Sequence, residues 1–424
     1  MLCWDKGEGL SAKLKARSPA TRKRGASLGG CHPACWPSSK PNPALAPHSL
    51  LRGPKLPPHR KAFHMKSIGV DLHKCSLTVV VLDEDGRQIE EKTIPTKCRN
   101  QIREYFASYG LQCQVALESV GFYQWFWELV FPLVGRLILA DPLGVRAAAG
   151  RQAKTDRKDA LLLAQLLREN RLPMAFVPPE PIRQLRELVR LRHSLSRSLA
   201  TERRQLRWLS LKNNFPGPTS LTSDRAQKWV LAHEEKLSPY HRLAARKRLD
   251  HIVTLERDLF DADQIILRAV ETDPELLARV QLLESIPGIG RLTAVTILTE
   301  TGEITRFKNT DELSAYAGMV PRLYQTGQTT HRGPITKQGP AVLRWVLQQS
   351  AWVAIRTSPE ARRIWTRISK RAGAKKAATA LARKLLTYAL SVCRRGQPFQ
   401  WPQPAPSTTL SAQIACPAAE DFEI

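Results

Sequence analysis

Between Ser67 and Ile94 the chain carries three short runs rich in β-branched residues, and these decide what its first folded part can be. Ser67-Ile68-Gly69-Val70-Asp71 and Ser76-Leu77-Thr78-Val79-Val80-Val81-Leu82 are the first two, Asp83-Glu84-Asp85-Gly86 supplies a turn, and Gln88 to Ile94 makes the third. Runs of this length bounded by turn residues predict a meander of strands. The pattern then changes to alternation. A helix is expected over Arg99 to Ser108 and a buried strand over Gln114-Val115-Ala116-Leu117-Glu118. A helix bearing Phe122, Trp125, Phe126 and Leu129 comes next, then a strand over Gly135 to Ala140 and a helix from Asp156 to Arg168.

Three hairpin strands followed by alternating strand and helix describe an α/β sheet of the ribonuclease-H-like type for residues 65–177. Residues 178–280 show almost no strand signal. Leu185, Leu188, Leu191, Leu195 and Leu199 recur at three- and four-residue steps among Arg183, Arg186, Arg190, Arg192 and Arg197, and a second such run covers Arg242 to Val270. Two long helices in a coiled-coil segment are expected, with Asn213-Asn214-Phe215-Pro216-Gly217-Pro218 breaking the first. Such a pair either presents a solvated basic face or adds dimerisation through leucine and phosphate contacts through arginine. Residues 281–395 form a third unit, mainly α and rich in Gly and Arg, and 396–424 make a loose tail with Pro398, Pro402, Pro404 and Pro406.

Charge narrows the partner. Among 424 residues, 65 Lys and Arg stand against 38 Asp and Glu, a formal charge of +27. Such an excess points to a polyanion, most often nucleic acid. The 42% of hydrophobic residues suffices for a core, and no segment approaches the roughly 20 consecutive apolar residues of a membrane span. The eight cysteines include no CxxC pair, which suits a reducing cytoplasm. Cys31, His32 and Cys35 lack a second ligand pair at zinc-finger spacing. Residues 1–64 carry twelve Lys and Arg against only Asp5 and Glu8, with nine prolines. They read as a disordered basic leader, and Met65, directly before the first strand, is the expected true start.

Four carboxylates could carry chemistry. Asp71 closes the first strand and Glu118 a later one, where a carboxylate among apolar residues is costly unless paired, protonated or bound to a cation. Asp156 and Asp159, in Lys154-Thr155-Asp156-Arg157-Lys158-Asp159-Ala160, lie three apart on a helix and face the same way. In a ribonuclease-H-like sheet the first strand is central with the fourth beside it, so Asp71 and Glu118 become neighbours and the helix from Asp156 can lay its acidic face over them. Hard oxygen ligands so gathered suit Mg²⁺ or Mn²⁺. Two such ions about 4 Å apart activate a nucleophile on one side of a phosphodiester and stabilise the leaving oxygen on the other. Taken singly the residues are blander, Asp156 as an N-cap or first-turn carboxylate, Asp159 as a partner of Lys158 and Glu118 as a strand-end residue in water.

In the third unit, Leu282 to Ala294 has the form of a helix-hairpin-helix, an apolar helix running into Ile286-Pro287-Gly288-Ile289-Gly290 and a new helix at Arg291. Gly288 and Gly290 permit close backbone approach and the helix N-terminus favours an anion, so these residues and Arg291 are candidate DNA contacts. A tight turn between helices is the plainer alternative. Tyr324 to Gly339 is a hydroxyl- and glycine-rich stretch, read as a loop, whose Arg332 and Lys337 are further phosphate contacts. One of its hydroxyls would attack a phosphate if a base or metal activated it.

These segments occur in one order and together resemble the bacterial insertion-sequence transposases of the DEDD type, the IS110 group with its IS1111 branch. The segments are Ile68-Gly69-Val70-Asp71-Leu72-His73-Lys74, Ala116-Leu117-Glu118-Ser119, Lys154 to Ala160, Ile286 to Gly290 and Arg332-Gly333-Pro334-Ile335-Thr336-Lys337-Gln338-Gly339. The likeness covers about residues 66–390. It implies an N-terminal domain like the Holliday-junction resolvase RuvC, a coiled coil and a C-terminal transposase domain, acting on element and target DNA. For several members a structured non-coding bridge RNA selects both DNAs. The resemblance makes Asp71, Glu118, Asp156 and Asp159 the metal-binding quartet. It also makes a C-terminal serine the nucleophile, in an active site composed from two protomers. Here Thr326 stands before Gly327 where relatives usually show serine, with Thr329 and Thr330 as alternatives and Ser350 too far into the next helix.

The expectation is therefore a Mg²⁺- or Mn²⁺-dependent DNA recombinase of the bacterial cytoplasm, a homodimer or tetramer with an RNA partner. Its competitors are a junction-resolving nuclease that uses the same quartet and water, and a non-enzymatic nucleic-acid-binding protein.

Overall fold

The computed structural model describes residues 65–149, 155–217, 222–326 and 329–401. The expectations for the leader with its Met65 start, for Cys31, His32 and Cys35, for Lys154, Gly327 and the tail from 402 lie wholly or partly outside the described residues. So do the side chains of Thr326, Thr329, Thr330 and Arg332.

The first part is mixed α/β. Strands β1 (Lys66–Leu72), β2 (Ser76–Leu82) and β3 (Gln88–Pro95) form the antiparallel meander. Helix α1 (Arg99–Tyr109) leads to β4 (Cys113–Glu118), α2 (Gln124–Val130) to β5 (Arg136–Ala140), and α3 (Pro142–Ala149) precedes α4 (Asp156–Arg168). The sheet order is β3-β2-β1-β4-β5, with β1 central and β4 parallel to it. Side chains alternate between the faces of a strand. Ile68, Val70, Leu72, Val79 and Leu117 pack on one face with Ile102, Phe106, Phe126 and Val130 of α1 and α2. On the other face Ala116, Ile138 and Ala140 meet Leu163, Leu166 and Leu167 of α4, and Val80 and Leu82 meet Ala160 and Ala164.

Helices α5 (Glu180–Lys212), α6 (Ser223–His233) and α7 (Pro239–Glu271) follow. The break expected at Asn213 falls there, with Asn214 in the left-handed region at φ 53°, which asparagine tolerates. Ion pairs Arg192–Asp263, Arg203–Glu256 and Arg248–Glu202 join α5 to α7. Four of the five arginines read as a basic face are engaged within the molecule. Arg183 donates to the Pro178 carbonyl and to Glu128, Arg186 to the Thr299 carbonyl, Arg190 to both oxygens of Glu300, and Arg192 to Asp263. The leucine stripe is divided too, since Leu185 and Leu199 are buried and Leu191 is exposed.

The remainder is mainly helical: α8 (Pro274–Glu284), α9 (Arg291–Thr301), α10 (Thr310–Tyr316), strands β6 (Pro321–Thr326) and β7 (Thr329–Ile335), then α11 (Ala341–Thr357), α12 (Pro359–Ala372) and α13 (Ala374–Arg395). Its core of Leu283, Ile297, Leu347 and Leu385 also contains Ile182, Leu185 and Val189 of α5 and Ile266 and Val270 of α7. The near ends of the long helices are thus built into this core. One expectation is corrected: the stretch from Tyr324 is not a loop throughout, because β6 and β7 pair antiparallel from Pro321↔Ile335 to Thr326↔Thr329. Its threonines favour extended backbone, since β-branched side chains pack well on a pleated strand.

Candidate active site

Asp71 is one residue from the end of β1 and 5% exposed. It shares a sheet face with Gly69, and that glycine is why α4 lies where it does. A Cβ built on Gly69 would stand 1.9 Å from the Ala160 carbonyl oxygen and 2.7 Å from the Ala164 nitrogen. Glycine on the strand and alanines four apart on the helix let the two backbones nearly touch. The first turn of α4 is thereby carried over Asp71. Thr155 caps that helix, its hydroxyl accepting from the Lys158 N–H at 3.3 Å, so Asp156 is a first-turn residue and not the cap.

His73 joins the two elements. Its Nε2 lies 3.0 Å from Asp71 Oδ2 and 3.3 Å from Asp156 Oδ2. Asp71, His73 and Asp156 are the one group of three such residues among the described residues whose ligand atoms all lie within 4.8 Å. Burial pushes the Asp71 carboxyl above its ordinary range; His73 opposes the shift, and the charges of Asp156 and Asp159 add to it. A buried carboxylate with two other carboxylate charges acting on it is unfavourable, and a cation reaching it from the solvent-exposed side of Asp156 would relieve it. The donor set, two carboxylates and an imidazole, fits a divalent ion.

The other two expected acids stand nearby in the fold but outside that cluster. The β1–β4 ladder pairs Val70 with Leu117, so Asp71 and Glu118 come next on adjacent strands. Asp159 shares the first turn of α4 with Asp156 and acts on Asp71 through its charge. His73 is the residue that sequence reasoning missed. It lies in the stretch Ile68 to Lys74, but nothing in spacing distinguishes a histidine two residues past a strand carboxylate from a solvated one.

The expected DNA contacts are distributed differently. Gly288 has φ +87°, and a Cβ there would meet the Ser350 carbonyl at 2.4 Å. Its close approach is therefore to α11 of the same molecule. Gly290 caps α9 with open space around it, and Arg291 pairs with Glu284 at 3.3 Å. Arg332 lies in β7 opposite Leu323. Lys337 is exposed, holds a left-handed backbone at φ 57° and donates its N–H to the Gly318 carbonyl. Thr326 ends β6, across from Thr329. Ser350 is 2% exposed with its hydroxyl unpartnered. No helix among the described residues is long and apolar enough to cross a membrane.

Two family descriptions match the chain, the DEDD transposase of the IS110 type over residues 68–216 and the IS116/IS110/IS902 transposase family over residues 280–366. Among relatives, y4qE of Sinorhizobium fredii, named as a transposase, is 32% identical over 53% of this chain and 54% of its own length. The transposase for insertion sequence element IS1111A of Coxiella burnetii is 27% identical over 76% of this chain and 87% of its own. The pilin gene-inverting protein of Moraxella bovis is 28% identical over 62% and 74%. The chain thus spans about half the length of the first of these relatives.

Proposed function

The chain belongs to the DEDD transposases of the IS110/IS1111 type, and from that membership we propose that it is a metal-dependent DNA recombinase that moves an insertion sequence. The observation that carries the reading is the meeting of Asp71 with Asp156 and His73 where α4 crosses β1. The sheet order, with β1 central and β4 parallel beside it, supports a ribonuclease-H-like, RuvC-like catalytic part over residues 65–177. The proposed divisions at 178–280 and 281–395 assign the long helices to protomer association and the last unit to the transposase domain with its helix-hairpin-helix.

Asp71, Glu118, Asp156 and Asp159 would hold Mg²⁺ or Mn²⁺, with His73 as a fifth donor or as the group that aligns Asp71 and Asp156. Bound there, divalent ions supply Lewis acidity at the scissile phosphodiester. The chain's own part is to keep the carboxylates pre-positioned on rigid elements and to exclude water from Asp71. The Thr326 hydroxyl is the proposed nucleophile, carried by the residue that ends β6. Its oxygen would bond to phosphorus as the DNA 3′ or 5′ oxygen leaves with a proton, giving a protein–DNA ester that a second strand then displaces. Substrates are element-end and target DNA. A structured bridge RNA that selects both, and a dimer or tetramer that completes the site, follow from the same family reading.

Recombination between plasmids carrying element ends and target tests this. Asp71→Ala should abolish recombination while binding of the same DNA is nearly unchanged, since affinity comes mainly from positive charge. Retained recombination in that variant defeats the metal mechanism.

A further inference from the structure

The strongest feature that the carboxylate site leaves unused is a bare cationic ridge at the end of the chain's helical unit. Between Glu312 and Glu420 the sequence contains 16 Lys and Arg and a single acid, Glu360. Many of these cations are on α12 and at the start of α13. Helix α12 turns Ala361, Ile364 and Trp365 inward, with the Trp365 ring against Trp352. Its outward side carries Arg362, Arg363, Arg367, Lys370 and Arg371, all exposed. Pro359, Arg362, Arg363, Thr366, Arg367 and Lys370 line a shallow groove of about 530 Å³ along it.

Some of these charges have partners. Arg363 reaches Glu360 at 3.4 Å, and Arg362 donates to the Ile355 and Arg356 carbonyls at the end of α11. Arg367, Lys370, Arg371, Lys375 and Lys376 have no acidic partner among the described residues. Lys370 and Arg371 stand in the last turn of α12, where the helix dipole favours cations, but the rest of the placement works against the helices. Arg363 and Arg367, then Arg367 and Arg371, are like charges four residues apart, which repel on one helix face. Lys375 and Lys376 stand in the first turn of α13, where the helix dipole disfavours cations, and Gly373 caps that turn with no side chain. Five cations without an acidic partner within ten residues, on one exposed stretch of two helices, are what a surface built for a polyanion looks like.

We propose that the α12–α13 ridge is a binding surface for the phosphate backbone of duplex DNA, separate from the carboxylate centre and from the α8–α9 turn. It rests on the reading that the chain works on DNA. The choice of duplex DNA follows from the proposed activity on element and target DNA, and a row of unpaired cations matches the phosphates of either strand without base contacts. At about 1.5 Å rise per residue, Arg363 and Lys370 are separated by about 10 Å along the helix, within reach of several successive phosphates of one strand.

The test uses the full chain and a random-sequence 30-base-pair DNA. The salt dependence of binding is measured for wild type, for Arg367→Gln/Lys370→Gln/Arg371→Gln, and for Arg225→Gln/Lys228→Gln/Lys236→Gln on and after α6 as a control of equal charge. Each lost phosphate contact lowers the slope of log affinity against log salt by about 0.9. The ridge variant should therefore lose between two and three from the slope, and the control less than one. Melting temperature of the ridge variant should stay close to that of the wild type, because the repulsion relieved at Arg367 offsets the helix-end charge lost at Lys370 and Arg371. A slope unchanged, or lowered equally by the control, overturns the ridge assignment while leaving the DNA reading intact. A larger loss on an RNA duplex of equal length overturns the choice of DNA. Wild-type protein that binds no duplex DNA at all defeats the underlying reading instead.

Discussion

The carbonyl of Ala160 faces Gly69 so closely that a Cβ on the glycine would stand 1.9 Å from its oxygen. This contact between α4 and β1 is two residues from Asp71 on the strand and four from Asp156 on the helix, so it sets the spacing of the two carboxylates.

Gly69→Ala should therefore injure the site without removing any polar group. Inserting a methyl against backbone forces α4 away, at a cost of about 1–3 kcal/mol. Recombination should fall well beyond what that loss of stability explains. Chemical denaturation beside a recombination assay checks it, and a stable, fully active variant would mean that α4 does not set the geometry.

Asp71→Asn should raise the melting temperature of the metal-free protein at neutral pH while abolishing activity. Burial raises the Asp71 pKa from its ordinary 3.8, so the folded chain favours the protonated form. The stability this confers is complete below about pH 3.8 and is lost as the pH rises through the raised value. The amide cannot ionise and should flatten that part of the pH–stability curve. A variant less stable than wild type at pH 7 would contradict it.

Arg190→Ala should destabilise the chain by about 3 kcal/mol, because it strips the partner from a wholly buried carboxylate. Arg190 Nε lies 2.8 Å from Glu300, which is 0% exposed. Restoring stability with the double change to Ala at 190 and Gln at 300 would identify the stranded charge as the cause. A single variant as stable as wild type would show that water or another cation replaces the arginine.

Thr326→Ala should eliminate a denaturation-resistant protein–DNA adduct, and Thr326→Ser should retain it. Gel electrophoresis of labelled element-end DNA under denaturing conditions reads both. An adduct that persists in the alanine variant moves the nucleophile elsewhere, and the absence of any adduct in wild type favours a water-using nuclease.

What the sequence made legible follows from period and distance. The strands that carry Asp71 and Glu118 and the helix from Asp156 to Arg168 were readable because strand and helix periods are local. Gly69 was legible only as a residue in a strand, since its purpose is a contact with Ala160, 91 positions away. The same distance hid the ion pairs of the long helices: Arg190 and Glu300 carry no mark of each other, so a row of arginines read as a face for phosphate. The β6–β7 hairpin escaped because its polar threonines lack the apolar alternation by which strands are recognised, although their β-branching suits extended backbone.

Calorimetric titration of Mn²⁺ into the purified chain and into Asp71→Asn addresses the shared metal site most directly. Saturable uptake by the wild type that disappears in the variant is the expected result. Equal uptake by both proteins, or none by either, would mean that Asp71, Asp156 and their neighbours do not form a cation site.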